Sequence, residues 1–164
     1  MSELAELLER FRRGPELLAV ATTGAAGSEL DFKPGEGKWS VRQIACHLAD
    51  SEAVACTRFR QLLAEQNPTF LKYDQNAWAA GLDYERRKIS QALEMFRMLR
   101  SGNYDLLKDQ PEAVFERSGT HSERGRVTLL EMLRILAEHA EKHVKQIQIV
   151  RAAYREHKAK SVAQ

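Results

Sequence analysis

The chain has few residues of the kinds that cross-link a small protein or carry it through a membrane. Only two of its 164 residues are cysteines, which excludes a disulfide-stapled fold. Four prolines and nine glycines exclude a collagen-like or low-complexity chain. No apolar run approaches the roughly 18 residues of a membrane-spanning helix, and residues 1–13 are charged throughout, unlike a signal peptide. We therefore expect no membrane contact.

An excess of one charge is also lacking, because 25 basic residues face 23 acidic ones and the net charge is +2. Residues 83–164 carry 16 basic and 12 acidic side chains, but these are spread around predicted helices. No recognition-helix pattern accompanies them, so we expect no nucleic-acid partner. With 43% hydrophobic residues, the chain is long enough to bury the core of one globular domain.

The two cysteines are not expected to pair. Cys46 and Cys56 are ten residues apart in one predicted helix, which separates their Cα atoms by about 15 Å. A disulfide needs roughly 7 Å or less. Free thiols indicate a reducing compartment, and the cytoplasm is the expected location. Cys46 is expected to be a buried thiol and not a nucleophile.

Amphipathic periodicity predicts two helices in the first half of the chain. The first covers about residues 3–23, and Pro15 is expected to kink or split it. The second begins at Ser40, which forms a capping-box pattern with Gln43, and ends near Gln66 at an Asn-Pro pair.

The second half predicts two further helices. The third covers about residues 83–100, with a separate short helix near residues 104–107. The fourth begins at Thr128, where Glu131 completes a second capping-box pattern. Residues 158–164 are polar and are expected to fray.

These segments predict an all-α protein, a four-helix bundle with long connections. No stretch alternates like a strand, so no sheet is expected. The connections at residues 67–82 and 103–127 are too long for a simple up-down bundle, and at least one crossover is predicted. We expect one domain over residues 1–157.

Two histidines share one face of the fourth helix. His139 and His143 are four residues apart, in the apolar stripe that includes Leu136 and Ile147. This spacing lets two imidazoles bind one metal ion, and His47 on the second helix is a natural third ligand. Three histidines with open positions are typical of a catalytic metal site and not of a closed structural one.

A plainer interpretation stays open for the same residues. The three histidines could be polar side chains at the edge of the core, hydrogen-bonded to carboxylates such as Asp50 or Glu52. A zincin-type metalloprotease is excluded, because Ala140 stands where that motif has its glutamate.

Two segments resemble signatures of the DinB/YfiT-like superfamily. Residues 37–52 (GKWSVRQIACHLADSE) have a tryptophan shortly before a helix that carries His47 in an "HL" context. Residues 139–147 (HAEKHVKQI) have a paired histidine motif followed by Gln-Ile, and a "G…TL" lead-in begins at Gly125. The resemblance spans about residues 30–152.

This resemblance implies a four-helix bundle, often dimeric, with His47, His139 and His143 as ligands of a divalent metal, zinc or nickel. It implies a small-molecule substrate, with a low-molecular-weight thiol as a candidate cosubstrate. Relatives include thiol-dependent transferases, a maleylpyruvate isomerase and metal-dependent hydrolases without a known substrate. Hydrolysis and thiol-dependent transfer both stay open. So does a non-catalytic, dimeric stress-response or ligand-binding bundle whose metal is structural or incidental.

Five further residues are candidates for the site. Asp50 shares a helix face with His47 and could orient that ligand or act as a general base, or simply be an ion-paired or solvated residue. His121 could line the site or act as an acid or base, or be a solvated loop residue. Tyr73, Asp74 and Trp78 could wall a substrate pocket, with Asp74 holding an imidazole. Alternatively, Trp78 pins this loop to the bundle.

Overall fold

The computed structural model describes residues 2–163, which form six helices, one short 3-10 helix and three short strands. The helices are α1 (Glu3–Thr22), α2 (Ser28–Asp31), α3 (Val41–Ala64), α4 (Gln75–Gly81), α5 (Ile89–Leu107) and α6 (Leu129–Val162). The strands are β1 (Thr69–Phe70), β2 (Ser118–His121) and β3 (Gly125–Thr128), and the 3-10 helix covers Glu112–Glu116.

The four long helices form the bundle predicted from the sequence. Helix α1 packs against α5 and α6, and α3 packs against the same two helices. The consecutive long helices α1 and α3 therefore lie across the bundle from each other, which confirms that the topology includes a crossover. Among residues 2–163, no helix is both long enough and apolar enough to cross a membrane.

Both predicted capping boxes are present. The Ser40 hydroxyl accepts from the Gln43 N–H at 3.3 Å, and Gln43 Oε1 accepts from the Ser40 N–H at 3.0 Å. Thr128 and Glu131 form the same pair of bonds at 3.1 and 2.7 Å. Each box satisfies backbone N–H groups that the helix leaves free. The boxes define where α3 and α6 begin, and thus which face each later residue occupies.

Helix α1 is continuous through Pro15, so the predicted split does not occur. Proline has no N–H to donate to the carbonyl of Phe11, four residues earlier. The side chain of Arg100 on α5 takes that place, since its Nη1 donates to Phe11 O at 3.1 Å. A Cβ atom at Gly14 would lie only 2.8 Å from the same Nη1. Pro15 therefore leaves the Phe11 carbonyl free to accept from Arg100, and Gly14 leaves the space that the Arg100 side chain occupies.

Arg100 connects all four long helices. It is 1% exposed, and its Nη2 donates to Glu52 Oε2 on α3 at 2.7 Å. The same nitrogen approaches Leu136 O on α6 at 3.4 Å. Asn103 donates to the other Glu52 oxygen at 2.8 Å. A buried charge pair needs partners for its other hydrogen-bonding atoms, and groups from four helices partner both Nη atoms of Arg100 and both Glu52 oxygens, whereas Arg100 Nε is buried without a partner.

Two helix ends and the tail differ from the prediction. Helix α5 begins at Ile89 and continues to Leu107, so the short helix expected near residues 104–107 is part of α5. Buried Asn103 and Leu107 hold this segment helical past Gly102. Helix α6 continues to Val162, where fraying was predicted from residue 158. Its last turns are mostly exposed, and residues 151–162 include three alanines, two lysines and two arginines, which favour helix without packing.

A small sheet was not predicted. Strand β1 pairs in parallel with β2, and β2 pairs antiparallel with β3. Gly119 is required in β2, because a Cβ there would lie 2.6 Å from both the Phe70 ring and Pro68 O. Strands of two and four residues are too short to show alternation in the sequence. The sheet places the end of β2 beside the bundle.

We expect Arg100→Ala to lower the free energy of unfolding by about 3–5 kcal/mol, because Glu52 would be left buried and unpaired. Urea denaturation followed by circular dichroism measures this change. Arg97→Ala is the matched control, since Arg97 lies one turn away and pairs with Glu94 in solvent. If both variants lose equally little stability, Arg100 does not have the role assigned to it.

Candidate metal centre

Three histidines from two neighbouring helices converge at one point. His47 on α3 faces His139 and His143 on α6, and one ring nitrogen from each lies within 4.8 Å of the others. His139 Nε2 is 3.0 Å from His47 Nε2 and 3.1 Å from His143 Nε2. The spacing of four residues and the packing of α3 on α6 together produce this cluster.

The protons on these rings cannot satisfy all of the contacts. His143 Nδ1 lies 2.7 Å from Gln146 Oε1, which can only accept, so Nδ1 carries the proton and Nε2 has a lone pair. His139 Nε2 carries either one proton or one lone pair. It therefore cannot form a linear hydrogen bond to both of its neighbours. A cation bound by three lone pairs removes this conflict.

Burial keeps the imidazoles neutral. Burial and, second, the neighbouring His143 together lower the pKa of His47 to about 4 and that of His139 to about 2. Burial also lowers the pKa of His143, although the Gln146 hydrogen bond opposes this. Neutral imidazoles are the form that binds metal. Trp39 covers one side of the cluster, with its ring centroid 4.9 Å from that of His47.

Two cavities reach the histidines. The first, about 490 Å³, has His139 in its wall and extends between α3, α6 and the small sheet. The second, about 750 Å³, has His143 and Trp39 in its wall. Gln75 and Asn76, at the start of α4, line both cavities and stand between them.

Asp50 forms an ion pair and does not contact His47. Its Oδ2 accepts from the Tyr84 hydroxyl at 2.7 Å and from Arg87 Nη1 at 2.8 Å. Of the two interpretations drawn from the sequence, the geometry favours the ion pair. Tyr84 and Arg87 lie in the turn before α5, a position that the helical pattern did not single out.

His121 is not the solvated loop residue of the alternative interpretation. It ends strand β2, is 8% exposed and lines the first cavity together with His139. Its Nδ1 accepts from the backbone N–H groups of Glu123 and Arg124 at 3.1 and 3.4 Å. Nδ1 therefore has the lone pair, and Nε2 carries the proton of the neutral ring.

Of the three residues predicted to wall a substrate pocket, two line a cavity and one does not. Tyr73 lines the first cavity, and its hydroxyl lies 2.6 Å from Ser51 Oγ. Asp74 also lines it, but its Oδ1 caps α4 by accepting from two backbone N–H groups and holds no imidazole. Trp78 stacks on Tyr73, with centroids 4.5 Å apart, and packs against the core instead of lining either cavity.

Sequence reasoning missed Ser51, Arg58 and Arg124, which all line the first cavity. A signal was present for two of them. Ser51 and Arg58 follow His47 by four and eleven residues, which places all three on one face of a helix. Arg124 lies in a β-turn and had no comparable signal.

The fold and the cluster define a class of protein, a small helical bundle with a three-histidine site between two of its long helices. The sequence profile of the DinB superfamily matches residues 10–147. The chain belongs to this superfamily, and the resemblance noted from the sequence is confirmed.

Its relatives include two bacterial proteins named "Putative metal-dependent hydrolase". One, from Oceanobacillus iheyensis, is 32% identical over 133 residues, covering 81% of this chain and 77% of the relative. The other, YfiT from Bacillus subtilis, is 30% identical over 134 residues, covering 81% of this chain and 75% of YfiT.

Two solved structures have the same fold. YfiT from Bacillus subtilis superposes with a TM-score of 0.85 at 27% identity, over 92% of this chain and 87% of YfiT. It is described as a probable metal-dependent hydrolase with an unusual four-helix bundle topology. A mycothiol-dependent maleylpyruvate isomerase superposes with a TM-score of 0.69 at 15% identity, over 89% of this chain and 61% of the isomerase, and shows the fold alone.

Both cysteines are free, as predicted. Cys46 is buried beside His47 in sequence, but its Sγ lies 4.0 Å from Tyr84 O. Burial raises the pKa of the Cys46 thiol to about 11, so almost no thiolate is present at neutral pH. Cys56 is only half-buried.

Iodoacetamide at pH about 8 should therefore alkylate Cys56 well before Cys46 in the folded protein. Peptide mass spectrometry over a time course measures both rates, and unfolding in urea should make them equal. Equal rates in the folded protein would contradict the buried position of Cys46. In the Cys56→Ala variant, Cys46 is the remaining thiol, so its slow alkylation rate can be measured alone.

Proposed function

We propose that this protein is a divalent-metal-dependent enzyme that hydrolyses a small molecule, with His47, His139 and His143 as the metal ligands. One observation carries the proposal: three neutral imidazoles direct Nε2 atoms at one point beside a cavity. A core-edge role for the histidines does not explain this convergence. None of the three is hydrogen-bonded to Asp50 or Glu52, which have other partners.

The ligand set fits zinc or nickel. Two nitrogens that bind one ion at about 2.1 Å lie roughly 3.0 Å apart at a right angle and roughly 3.4 Å apart in a tetrahedron. Two of the three separations, 3.0 and 3.1 Å from His139 Nε2, are of this size, and all three nitrogens lie within 4.8 Å of one another. Imidazole suits both metals. When bound, the ion supplies Lewis acidity and brings the pKa of a coordinated water toward about 7.

The protein's own residues orient the ligands and the substrate. Gln146 holds the tautomer of His143 that presents Nε2, and Trp39 packs on His47. The first cavity accepts the substrate beside His139. Asp50 and His121 do not act as general bases in this proposal. The Asp50 carboxylate is occupied by Tyr84 and Arg87, and protonating His121 Nδ1 would break two backbone hydrogen bonds.

Thiol-dependent transfer is a second candidate, and the presence of two cavities favours it. A transfer reaction brings two reactants to one centre, and the cavities reach His139 and His143 from different sides. A metal with three imidazole ligands would favour a thiol bound as thiolate. Activity that requires an added low-molecular-weight thiol would select transfer over hydrolysis.

His47→Ala should reduce the bound metal from about one ion per chain to near none, because two imidazoles hold zinc or nickel much more weakly than three. Plasma mass spectrometry of tag-free protein measures the content. His157→Ala is the matched control, since His157 lies exposed on the same helix as the histidine pair. Protein that binds no stoichiometric metal and gains no stability from added zinc or nickel would refute the proposal.

The same variant separates an enzyme from a non-catalytic bundle. We expect His47→Ala to keep its fold and lose turnover of small ester, amide or thiol-plus-electrophile substrates. In a ligand-binding or stress-response bundle, the variant would lose only stability. Turnover that persists without metal would show that the histidines are not the reaction centre.

Gln146→Ala should weaken zinc affinity about 10- to 100-fold while the three ligands stay in place, because His143 would lose the partner that holds its tautomer and orientation. Competition with a colorimetric chelator measures the affinity. Gln148→Ala is the control, since Gln148 is an exposed residue two positions along the same helix. Equal affinities for the two variants would show that Gln146 does not orient His143.

A homodimer and a cytoplasmic location stay predictions. Both came from the sequence, and the contacts within one chain do not address them. Sedimentation equilibrium would measure the first, and fractionation of cells that express the protein would measure the second.

A further inference from the structure

The first cavity has basic side chains in its wall that lack acidic partners. Arg58, on α3, and Arg124, in the turn between β2 and β3, both line it. Among residues 2–163, neither forms a salt bridge with a carboxylate. Other arginines on the surface mostly do so, as Arg86, Arg97 and Arg151 illustrate.

Neutral groups hold Arg58 in place. Its Nη2 donates to the Leu71 carbonyl at 2.8 Å, and its guanidinium lies 5.9 Å from the centroid of the Phe70 ring. Burial lowers the pKa of Arg58, which Tyr73 opposes and the charge of Arg124 reinforces. The guanidinium is thus positioned, partly desolvated and without a counter-ion, an arrangement typical of an anion-binding arginine.

The acidic residues at the same cavity already have partners. Glu123 forms an ion pair with Lys72. The Asp74 carboxylate accepts from the N–H groups of Asn76 and Ala77. The charge of Glu123 also acts on Arg124 and His121, but neither acid forms a salt bridge with Arg58 or Arg124, so both guanidinium groups can pair with a bound anion.

His121 adds a third donor. Its Nδ1 is taken by two backbone N–H groups, so Nε2 carries a proton. His121, Arg58 and Arg124 all line the first cavity, and the Arg124 backbone N–H donates to His121 Nδ1 at 3.4 Å, so the three residues surround the same space. An oxyanion accepts hydrogen bonds from such a group of donors.

We infer that the first cavity binds an oxyanion of the substrate, a carboxylate or phosphate group, through Arg58, Arg124 and the Nε2–H of His121. Apolar side chains also line this cavity and accept a hydrocarbon part of the ligand. They are Val54, Ala55, Val127, Met132, Ile135 and Leu136. His139 lines the same cavity, so a ligand held there by its anionic group lies beside the histidine cluster. The inference rests on the proposed function for calling this ligand the substrate.

Isothermal titration with matched probes tests this inference. Phenylacetate, its neutral isostere phenylacetamide and phenylphosphonate are titrated into metal-loaded and metal-free protein. We expect one of the two anions to bind about tenfold more tightly than the amide, both to metal-loaded and to metal-free protein. Which anion binds more tightly shows whether the site prefers a carboxylate or a phosphate group. Equal affinities for the amide and both anions would overturn the inference. A preference seen only with metal would also overturn it, because the ion would then be the anion site.

Arg58→Gln and Arg124→Gln should each reduce the preference for the anion about tenfold and leave amide binding unchanged. Arg126→Gln is the matched control, since Arg126 carries the same charge in β3 and lies outside the cavity wall. Thermal denaturation and metal content confirm that each variant is folded. If all three variants behave alike, the assignment is wrong. If the His47→Ala variant still binds the anion more tightly than the amide, the anion site is supported independently of the proposed metal site.

Discussion

The buried ion pair between Arg100 and Glu52 is the constraint on which the bundle depends. Its groups come from all four long helices, so each helix must adopt one register to satisfy it. This polar layer also divides the apolar core into two clusters, one around Ile44 and Val144 and the other around Phe59 and Leu133. Glu52 lies five residues after His47, and Leu136 lies three residues before His139. The ion pair thus holds α3 and α6 in the alignment that brings the histidines together.

The histidine cluster uses that alignment. A neutral imidazole in a buried site needs a partner for its lone pair, and three of them around one point need a shared one. Two cavities reach the cluster, and the wall of the first contains both charged and apolar side chains. The three histidines lie on long helices, whereas His121 and Arg124 lie in the hairpin of β2 and β3, so changes in that hairpin can alter the first cavity without moving the histidines.

Much of the fold and part of the site could be predicted from local patterns. The capping boxes at Ser40 and Thr128 and the four-residue histidine spacing depend on residues within one or two turns, and all are present. Gly14 and Pro15 were misinterpreted as a break, because their partner Arg100 is distant in sequence. The strands and the short helices α2 and α4 were missed, because each is too short for periodicity to appear. Asp50 shares a helix face with His47 but pairs with Arg87, and no spacing rule chooses between those outcomes.

By itself, the sequence determined the helical class, the starts of α3 and α6, the free thiols and the three histidines as a candidate set. These follow from periodicity, capping and spacing, which are short-range properties of the chain. Only the tertiary structure decided that His47 meets the pair on α6, that His121 presents Nε2–H, and that Arg58 and Arg124 lack acidic partners. Those facts depend on which distant side chains pack together, and packing is set by the whole core and not by any one segment.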